Sequence, residues 1–236
     1  MSTLPATLPE TLPVTLPVTE RTRLGRLPAR GSFELELIHG ILDEGLVCHV
    51  SWVHEGYPVT LPSAYVRVED HVYLHGSVKN RTFAALAAGA PACLAVTLLD
   101  GLVLARSQFH HSANYRSVVL FGSCSTVTDV EHKRAVLAAL CDHLVPGRSG
   151  ASREADEQEL KATLLIGMPI REASAKCRSG PPLDAAEDLA LEHWAGVLPV
   201  ELRVGQPVPD AALRAGSLPT ADVLSLCERG SWSRRR

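Results

Sequence analysis

The stretch "LVCHVSWVHEGYPVTLPSAYVRVEDHVYLHGSV", residues 46–78, contains three runs of β-favouring residues joined by "HEG" and "ED". Each run is rich in β-branched and aromatic residues, and apolar and polar positions partly alternate, which is typical of half-buried strands. The stretch therefore predicts three successive antiparallel strands. The rest of the chain is interpreted outward from this unit.

A short helix is predicted on each side of these strands. Before them, "SFELELIHGILDEG" (residues 32–45) has apolar residues close to helical spacing, with Ser32 as the N-cap and Gly45 as the stop. After them, "NRTFAALAAGAP" has Asn80 in the N-cap position, and Gly89 followed by Pro91 at its end.

More strands are predicted downstream. "ACLAVTLLD" and "GLVLARSQF" meet at Asp100 and Gly101, a hairpin signal, and "RSVVLFGSCSTVTDV" follows. Further predictions are a helix with a capping box from Thr128, a helix over residues 155–167, a strand over 168–180 and a last strand over 194–205. A parallel sheet needs a helix after nearly every strand. The predicted fold class is therefore mainly β with helical additions (α+β), an antiparallel β-barrel.

Composition indicates an ordinary globular protein. The chain has 236 residues, 46% of them hydrophobic and 21% charged, with a formal net charge of −3. This balance does not favour nucleic acid as a partner. No apolar run approaches the roughly 20 residues that span a bilayer, and the N-terminus lacks a secretory pattern, so the cytoplasm is the expected compartment.

The two ends differ from the middle. Residues 4–19 repeat Thr-Leu-Pro, which favours extended backbone without regular hydrogen bonds. We therefore predict a disordered tail over residues 1–20, a single domain with a C-terminal helical and strand extension over 21–207, and a C-terminal tail over 208–236.

A first candidate site follows the third predicted strand, in "YLHGSVKNRTF". Glycine permits close backbone approach, serine and asparagine donate hydrogen bonds, and two cations precede a helix N-terminus. These are the parts of a phosphate site, formed by Gly76, Ser77, Lys79, Asn80 and Arg81. The alternative is a polar turn with a capped helix. No nucleotide-binding glycine motif is present.

A second candidate site lies in "RSQFHHSANYRSVV", where one strand ends and another begins. Polar residues at facing strand ends often line a ligand pocket. His110 and His111 are adjacent and would point to opposite faces of a strand, so a shared metal ion is not expected. The six cysteines are scattered without a C-x-x-C pair, and no metal site is predicted.

A third segment, "GYPVTLPSAYVRV", carries Pro58 and Pro62. Proline confines a strand to a sheet edge or a bulge, where the main chain is available to a ligand. Ser63 and Tyr65 add side chains that can form hydrogen bonds.

Taken in order, the motifs P-x-x-L-P, YLHGS-x-x-x-R and F-H-H-S-x-N-Y-R-S-V resemble the pyridoxamine 5′-phosphate oxidase-like flavin-nucleotide-binding proteins, in the branch similar to nitroimidazole-resistance reductases. The resemblance extends from about Arg21 to Pro207. It implies a split β-barrel, an FMN cofactor and a homodimer whose interface contributes to two flavin sites. The chain lacks the substrate-phosphate arginine and histidine signature of the true oxidase, so oxidation of vitamin B6 is not expected.

The resemblance also implies residue roles. Leu61, Pro62, Ser63 and Tyr65 would contact the isoalloxazine ring. The ribityl chain would lie along His75, Gly76 and Ser77, and the phosphate would meet Lys79, Asn80 and Arg81. A final group would lie near the flavin edge or reach across the dimer: Ser107, Ser112, Tyr115, Arg116 and Ser117.

The expected activity is two-electron reduction of a small organic acceptor by NADH or NADPH, with no catalytic residue assigned. Four alternatives stay open: a haem-binding or haem-degrading protein with His75, His110 or His111 as axial ligand, a deazaflavin-dependent reductase, a flavin-binding protein without turnover, and a dimeric β-barrel without a cofactor.

Overall fold

The computed structural model describes residues 14–232 of the chain. The first thirteen residues of the predicted Thr-Leu-Pro tail and the last four of the C-terminal tail lie outside the described residues. Ten strands lie within this range: β1 Gly31–Ser32, β2 Val47–His54, β3 Tyr57–Val68, β4 His71–Ser77, β5 Pro91–Leu104, β6 Ser112–Ser123, β7 Ser125–Thr126, β8 Thr163–Pro169, β9 Ala173–Arg178 and β10 Gly196–Pro199. The five α-helices are α1 Leu35–Glu44, α2 Arg81–Ala87, α3 Val130–Leu144, α4 Glu157–Ala162 and α5 Ala221–Arg229.

The strands form one antiparallel sheet in the order β1-β9-β6-β5-β2-β3-β4-β8-β7, with β10 paired to β5. Strand β3 changes its partner along its length. Its residues 57–64 pair with β2, whereas Tyr65–Val68 pair with β4 on the other side. The sheet therefore divides between β3 and β4. The predicted class, mainly β with helical additions, is confirmed.

The main core lies between the sheet and α1. Apolar positions alternate along β2, and the buried ones, Val50 among them, face the helix residues Ile38 and Leu42, each fully buried. A smaller cluster lies under α3, where Val136 and Leu140 pack on Tyr73 of β4. The sheet is thus covered in part on both sides by helices.

The end of α1 is fixed by two buried side chains. The hydroxyl of Tyr65 donates to the carbonyl of Leu42 at 2.6 Å, and Nε2 of His143 on α3 lies 2.7 Å from the carbonyl oxygen of Gly45. Gly45 ends the helix as predicted. A side chain there would meet the Tyr65 hydroxyl oxygen at 2.6 Å and Val96 at 2.5 Å, so the backbone passes too close for any other residue.

The predicted hairpin at Asp100 and Gly101 is wrong. The backbone continues through both residues as one 14-residue strand, β5, with a bulge in its pairing to β6 between Leu99 and Gly101. Strand β10 pairs with the far half of β5, and Gly101 allows it to approach, because a side chain there would meet the Leu198 carbonyl oxygen at 3.1 Å. The glycine serves packing between strands and not a turn.

Several boundaries also differ from the predictions. Helix α1 begins three residues after Ser32, whose hydroxyl instead accepts from the N–H of Glu34, and the N-cap of α3 is Asp129 in place of Thr128. Residues 163–167, predicted as helix, form most of β8. The predicted Asn80 cap is confirmed, since its side chain accepts from the N–H groups of Thr82 and Phe83.

Both predicted tails contain docked residues. At the N-terminal end, Leu16 is buried and its N–H donates to the Phe33 carbonyl at 2.8 Å. At the C-terminal end, a mobile tail is wrong for residues 221–232, which contain α5 and the buried Trp232. The indole N–H of Trp232 donates to the Glu44 carbonyl at 3.0 Å, so the end of the chain packs beside α1.

Replacing Gly45 with alanine is expected to destabilise the protein by about 1–3 kcal/mol, because the added methyl overlaps Tyr65 and Val96. Gly40, in the exposed middle of the same helix, has open space where a methyl group would lie, with no atom within 4 Å. Gly40→Ala is the matched control and should stabilise by up to about 1 kcal/mol. Urea unfolding measures both, and equal effects of the two substitutions would contradict the close contact.

Candidate cofactor-binding site

Strands β3 and β4 diverge beyond the pair Tyr65 and Leu74. From there, residues 61–64 of β3 pair only with β2, and residues 75–77 of β4 pair only with β8. The edge of β3 that faces β4, and the edge of β4 that faces β3, are thus unpaired in these residues within the described chain. Unpaired backbone N–H and C=O groups of this kind are available to a ligand. We call this feature the β3–β4 split, formed by residues 61–64 and 75–77.

The split brings together two groups of residues predicted separately from the sequence. Leu61, Pro62 and Ser63 lie on its β3 side, and His75, Gly76 and Ser77 on its β4 side. Both prolines of β3, at positions 58 and 62, fall in the half of the strand that pairs with β2 alone, which agrees with the confinement of proline to strand edges.

The β4–α2 turn lies at one end of the split and carries positive charge. The hydroxyl of Ser77 accepts from the N–H of Lys79 at 3.2 Å, which leaves the hydroxyl hydrogen to be donated elsewhere. Lys79 and Arg81 are exposed, and within residues 14–232 neither has a carboxylate within 4 Å. The side-chain oxygen of Asn80 accepts in the predicted cap of α2, and its amide N–H₂ group is left as a donor. The turn therefore offers two cations and a hydroxyl to an anion.

Neighbouring residues of β4 face opposite sides. A side chain at Gly76 would meet the Phe83 ring at 2.9 Å, so the absence of a side chain lets α2 pack here. His75 points the other way and lines a cavity of about 670 Å³ beneath α3. Its Nδ1 is buried with no hydrogen-bond partner among the described residues, and burial lowers its pKa. A neutral imidazole with an orphaned ring nitrogen is suited to bind a ligand or a metal ion.

Tyr65 corrects one predicted contact. Its side chain is fully buried in the main core, its hydroxyl donates to Leu42, and its ring lies 5.6 Å from that of His143. It is therefore not accessible to a flavin ring. Its role is to hold α1 and α3 against the point where the split begins.

Arg116 is neutralised within the chain. Its guanidinium donates to both oxygens of Glu44 at 2.6 and 2.8 Å and to both oxygens of Asp100 at 2.8 and 3.0 Å. These hydrogen bonds hold its pKa above the ordinary value. The network lines a cavity of about 720 Å³ that is partly closed by Trp232. Arg116 thus forms internal ion pairs, where the sequence predicted a flavin contact.

The other residues predicted near the flavin edge also lie away from the split. Ser112, Tyr115 and Ser117 belong to β6, which is three strands from β3 in the sheet, or roughly 14 Å at the usual spacing. The hydroxyl of Ser117 donates to the Lys176 carbonyl. Ser107 lies in the β5–β6 loop, and its hydroxyl oxygen is buried without a partner in the described range. One chain therefore does not bring this group to the split.

The remaining titratable groups do not form a metal centre. Across residues 14–232 no group of three or more His, Cys, Asp or Glu side chains lies close enough to hold a metal ion. The Nδ1 of His111 lies 2.9 Å from the Ser107 carbonyl oxygen. Burial raises the pKa of the Cys48 thiol to about 12 and that of Cys124 to about 11, so neither is a thiolate at neutral pH.

No helix in the described range is long and apolar enough to cross a membrane.

Comparison with known families gives a match over residues 34–177, to the family described as pyridoxamine 5′-phosphate oxidase. The chain belongs to this family. The matched range runs from the start of α1 to the end of β9 and contains the split, the basic turn and Arg116 with both its carboxylates. The resemblance inferred from the ordered motifs is confirmed, and with it the split-barrel fold.

Two solved structures are similar over most of the chain. The FAD and heme binding protein from Mycobacterium smegmatis is 38% identical, with a TM-score of 0.82, and the match covers 86% of this chain and 98% of that one. The flavocytochrome Anf3 from Azotobacter vinelandii is 37% identical, with a TM-score of 0.83, and the match covers 88% and 97%.

A more distant structure shows the fold alone. It is a putative 5-nitroimidazole antibiotic resistance protein from Bacteroides thetaiotaomicron, 19% identical, with a TM-score of 0.52 over 61% of this chain and 83% of that one. A comparison with curated proteins finds no match.

Sequence reasoning missed the partners of Arg116. Glu44 lies at the end of α1, Asp100 in the bulge of β5, and Trp232 near the C-terminus, so these residues are far apart in sequence. The available signal was weak: an arginine in a strand of a mostly apolar barrel is usually paired with a carboxylate, but the position of that carboxylate cannot be read from the sequence.

Replacing Arg116 with glutamine should lower the free energy of unfolding by about 2–4 kcal/mol, because Glu44 and Asp100 would lie side by side without a counter-charge, at 13% and 24% side-chain exposure. Arg203→Gln is the control, since the pair of Arg203 with Glu201 is exposed at 77% and 57% and should contribute less than about 0.5 kcal/mol. Chemical denaturation compares the two, and an Arg116 variant as stable as the control would refute the structural role.

Proposed function

We propose that this chain is a flavin-dependent oxidoreductase that uses reduced nicotinamide to reduce a small organic acceptor, with FMN as the cofactor. The observation that supports this most strongly is the β3–β4 split, whose unpaired backbone edges end at a turn with two cations that no carboxylate of the described chain neutralises. An elongated ligand with a hydrogen-bonding ring at one end and a phosphate at the other fits that order of groups.

The residues of the split and of the β4–α2 turn fit the two ends of a flavin nucleotide. Backbone groups of the segment Leu61–Ser63 would form hydrogen bonds with the polar edge of the ring, since alternate residues of this part of β3 face its free edge. Ser77, Lys79 and Arg81 would hold the phosphate through a hydroxyl, an ammonium and a guanidinium. A bound flavin would supply the two-electron redox chemistry that the side chains lack.

The chain's own part is to bind, orient and exclude water. The prolines hold the β3 edge rigid, and Tyr65 fixes the start of the split from behind. A second copy of the chain, in a homodimer, would cover the side of the flavin that faces away from the β3–β4 split. In that homodimer, Tyr115 and Ser117 of β6, too far from the split of their own chain, would approach the flavin of the other copy.

A second candidate, a protein that holds haem as well as flavin, is favoured by His75. This imidazole has an orphaned, buried Nδ1, a lowered pKa and a position on a cavity of about 670 Å³. The cavity wall has apolar side chains of α3, such as Leu137, but its two arginines are accompanied by three glutamates, and Arg153 is already paired with Glu159. His75 is therefore the feature that favours haem. The two most similar structures reported above are a FAD and heme binding protein and a flavocytochrome. They make haem the second cofactor to test, and FAD the alternative to FMN.

Removing the basic turn tests flavin binding. Arg81→Ala is expected to weaken FMN binding by about 1.5–3 kcal/mol through loss of a charge-assisted contact, and Lys79→Ala should have a smaller effect. Arg23→Ala removes an exposed arginine elsewhere and should leave the affinity unchanged. Fluorescence titration with FMN and with FAD measures each dissociation constant. Equal affinity in the Arg81 and Arg23 variants would remove the phosphate assignment.

The absorbance spectrum of the purified protein distinguishes the cofactors. A two-banded flavin spectrum is expected, a Soret band would show haem, and a single band at shorter wavelength would indicate deazaflavin. If a Soret band is present, His75→Ala should abolish it and keep the flavin bands, whereas His111→Ala, at an exposed ring, should keep both. Loss of the Soret band in a His110 variant alone would contradict the ligand assignment. Consumption of NADH and NADPH with added acceptors then separates an enzyme from a flavin-binding protein.

A further inference from the structure

A third cavity, of about 470 Å³, lies where β9 ends and β1 begins, away from the split. Its lining contains two arginines and two serines but no carboxylate of the described chain: Arg30, Ser32, Arg178 and Ser179 carry its charged and hydroxyl groups. Strand β9 is four strands from β3 in the sheet, roughly 19 Å, so this cavity is not part of the proposed flavin site of the same chain.

Arg178 is the decisive residue. It is 7% exposed, and its guanidinium donates to the side-chain oxygen of Asn114 and to the carbonyls of Gly180 and Pro181, the latter two at 3.3 and 3.1 Å. All three acceptors are neutral, and within residues 14–232 no carboxylate lies within 4 Å of it. A buried charge without a counter-charge is costly, which is why buried cations in proteins are usually paired.

Two other arginines, which are partly buried, do have carboxylate partners. Arg116 is neutralised by two carboxylates, and Arg106 bonds to Asp184, whose side chain is 2% exposed. The fold thus places carboxylates beside these two partly buried guanidinium groups. At Arg178 it places an open cavity instead.

A second cation lines the same cavity. Arg30 ends a short 3₁₀ turn, and the next residue, Gly31, pairs with Lys176 of β9. The Arg30 side chain is half-buried and has no ion pair with any described residue. The Ser32 hydroxyl accepts from the N–H of Glu34, so its hydrogen can be donated into the cavity.

We propose that this cavity binds a phosphate group, held between the guanidinium groups of Arg30 and Arg178 with hydroxyl donors from the two serines. Two guanidinium forks and two hydroxyls match the several acceptor oxygens of a phosphate better than the two of a carboxylate. The phosphate is either free or part of a dinucleotide such as NADPH. Its test rests on the proposed function because it uses the flavin-loaded protein, and Arg178 lies directly across from Tyr115 in the β6–β9 pairing. The four residues themselves are not among those assigned to the flavin, so loss of FMN binding in Arg81→Ala and loss of phosphate binding in Arg30→Gln are separate results.

The test is calorimetric titration of the full-length, flavin-loaded protein with inorganic phosphate and with the oxidised dinucleotides NADP⁺ and NAD⁺, which cannot pass a hydride to the flavin. The flavin-loaded state keeps the basic turn occupied. Arg30→Gln should weaken phosphate binding about tenfold or more, and Arg178→Lys, which keeps the charge but loses the fork, should weaken it as well. Arg171→Gln, an exposed arginine at the other end of β9, is the control and should bind like the unchanged protein.

The arms separate the two sources of phosphate. Tighter binding of NADP⁺ than of NAD⁺, lost in Arg30→Gln and competed by inorganic phosphate, supports a dinucleotide phosphate. Binding of inorganic phosphate with no difference between NADP⁺ and NAD⁺ supports a free phosphate. Absence of phosphate binding, or binding that Arg30→Gln leaves unchanged, overturns the proposal and leaves Arg178 as an anchor for residues 179–181. The Arg30 variant alone decides this if the Arg178 variant does not fold.

Discussion

The change of partner in β3 is the constraint on which the rest of the structure depends. Tyr65 stands where β3 leaves β2 and joins β4, and its buried hydroxyl is bonded to the end of α1. Because that side chain is fixed in the core, the point at which β3 changes its partner is fixed as well. The strand edges beyond it are left open. The candidate cofactor site is thus a by-product of how the core closes around one tyrosine.

The cations of this chain fall into those that are paired with its carboxylates and those that have no counter-charge among the described residues. Arg116 is held by two carboxylates and is structural. Lys79 and Arg81 are exposed and unneutralised by the described chain at the open end of the split, whereas Arg178 is buried and equally unneutralised beside a cavity. An exposed cation without a counter-charge costs little free energy, whereas a buried one costs much more. An unpaired buried cation such as Arg178 is therefore stronger evidence for a bound anion than the exposed pair Lys79 and Arg81.

Local signals in the sequence predicted the parts of the fold that depend on local physics. The three strands over residues 46–78 and the Asn80 cap were found because alternation and capping act over a few residues. The hairpin at Asp100 and Gly101 failed because the same dipeptide also suits a bulge, and only the distant β10 decides between them. The burial of Trp232 depends on a carbonyl of α1, 188 residues earlier, which no local pattern reveals.

In the candidate site too, local sequence predicted some features, whereas others depend on how distant strands are arranged. The split and the basic turn lie within one continuous stretch of sequence, so ordered motifs identified them together. The group on β6 was assigned to the same ligand by resemblance, yet the strand order places two strands, β5 and β2, between β6 and β3. Sequence motifs carry no information on which copy of a chain supplies a residue. The homodimer proposed above would account for both groups, because the β6 residues at one flavin could then come from another copy of the chain.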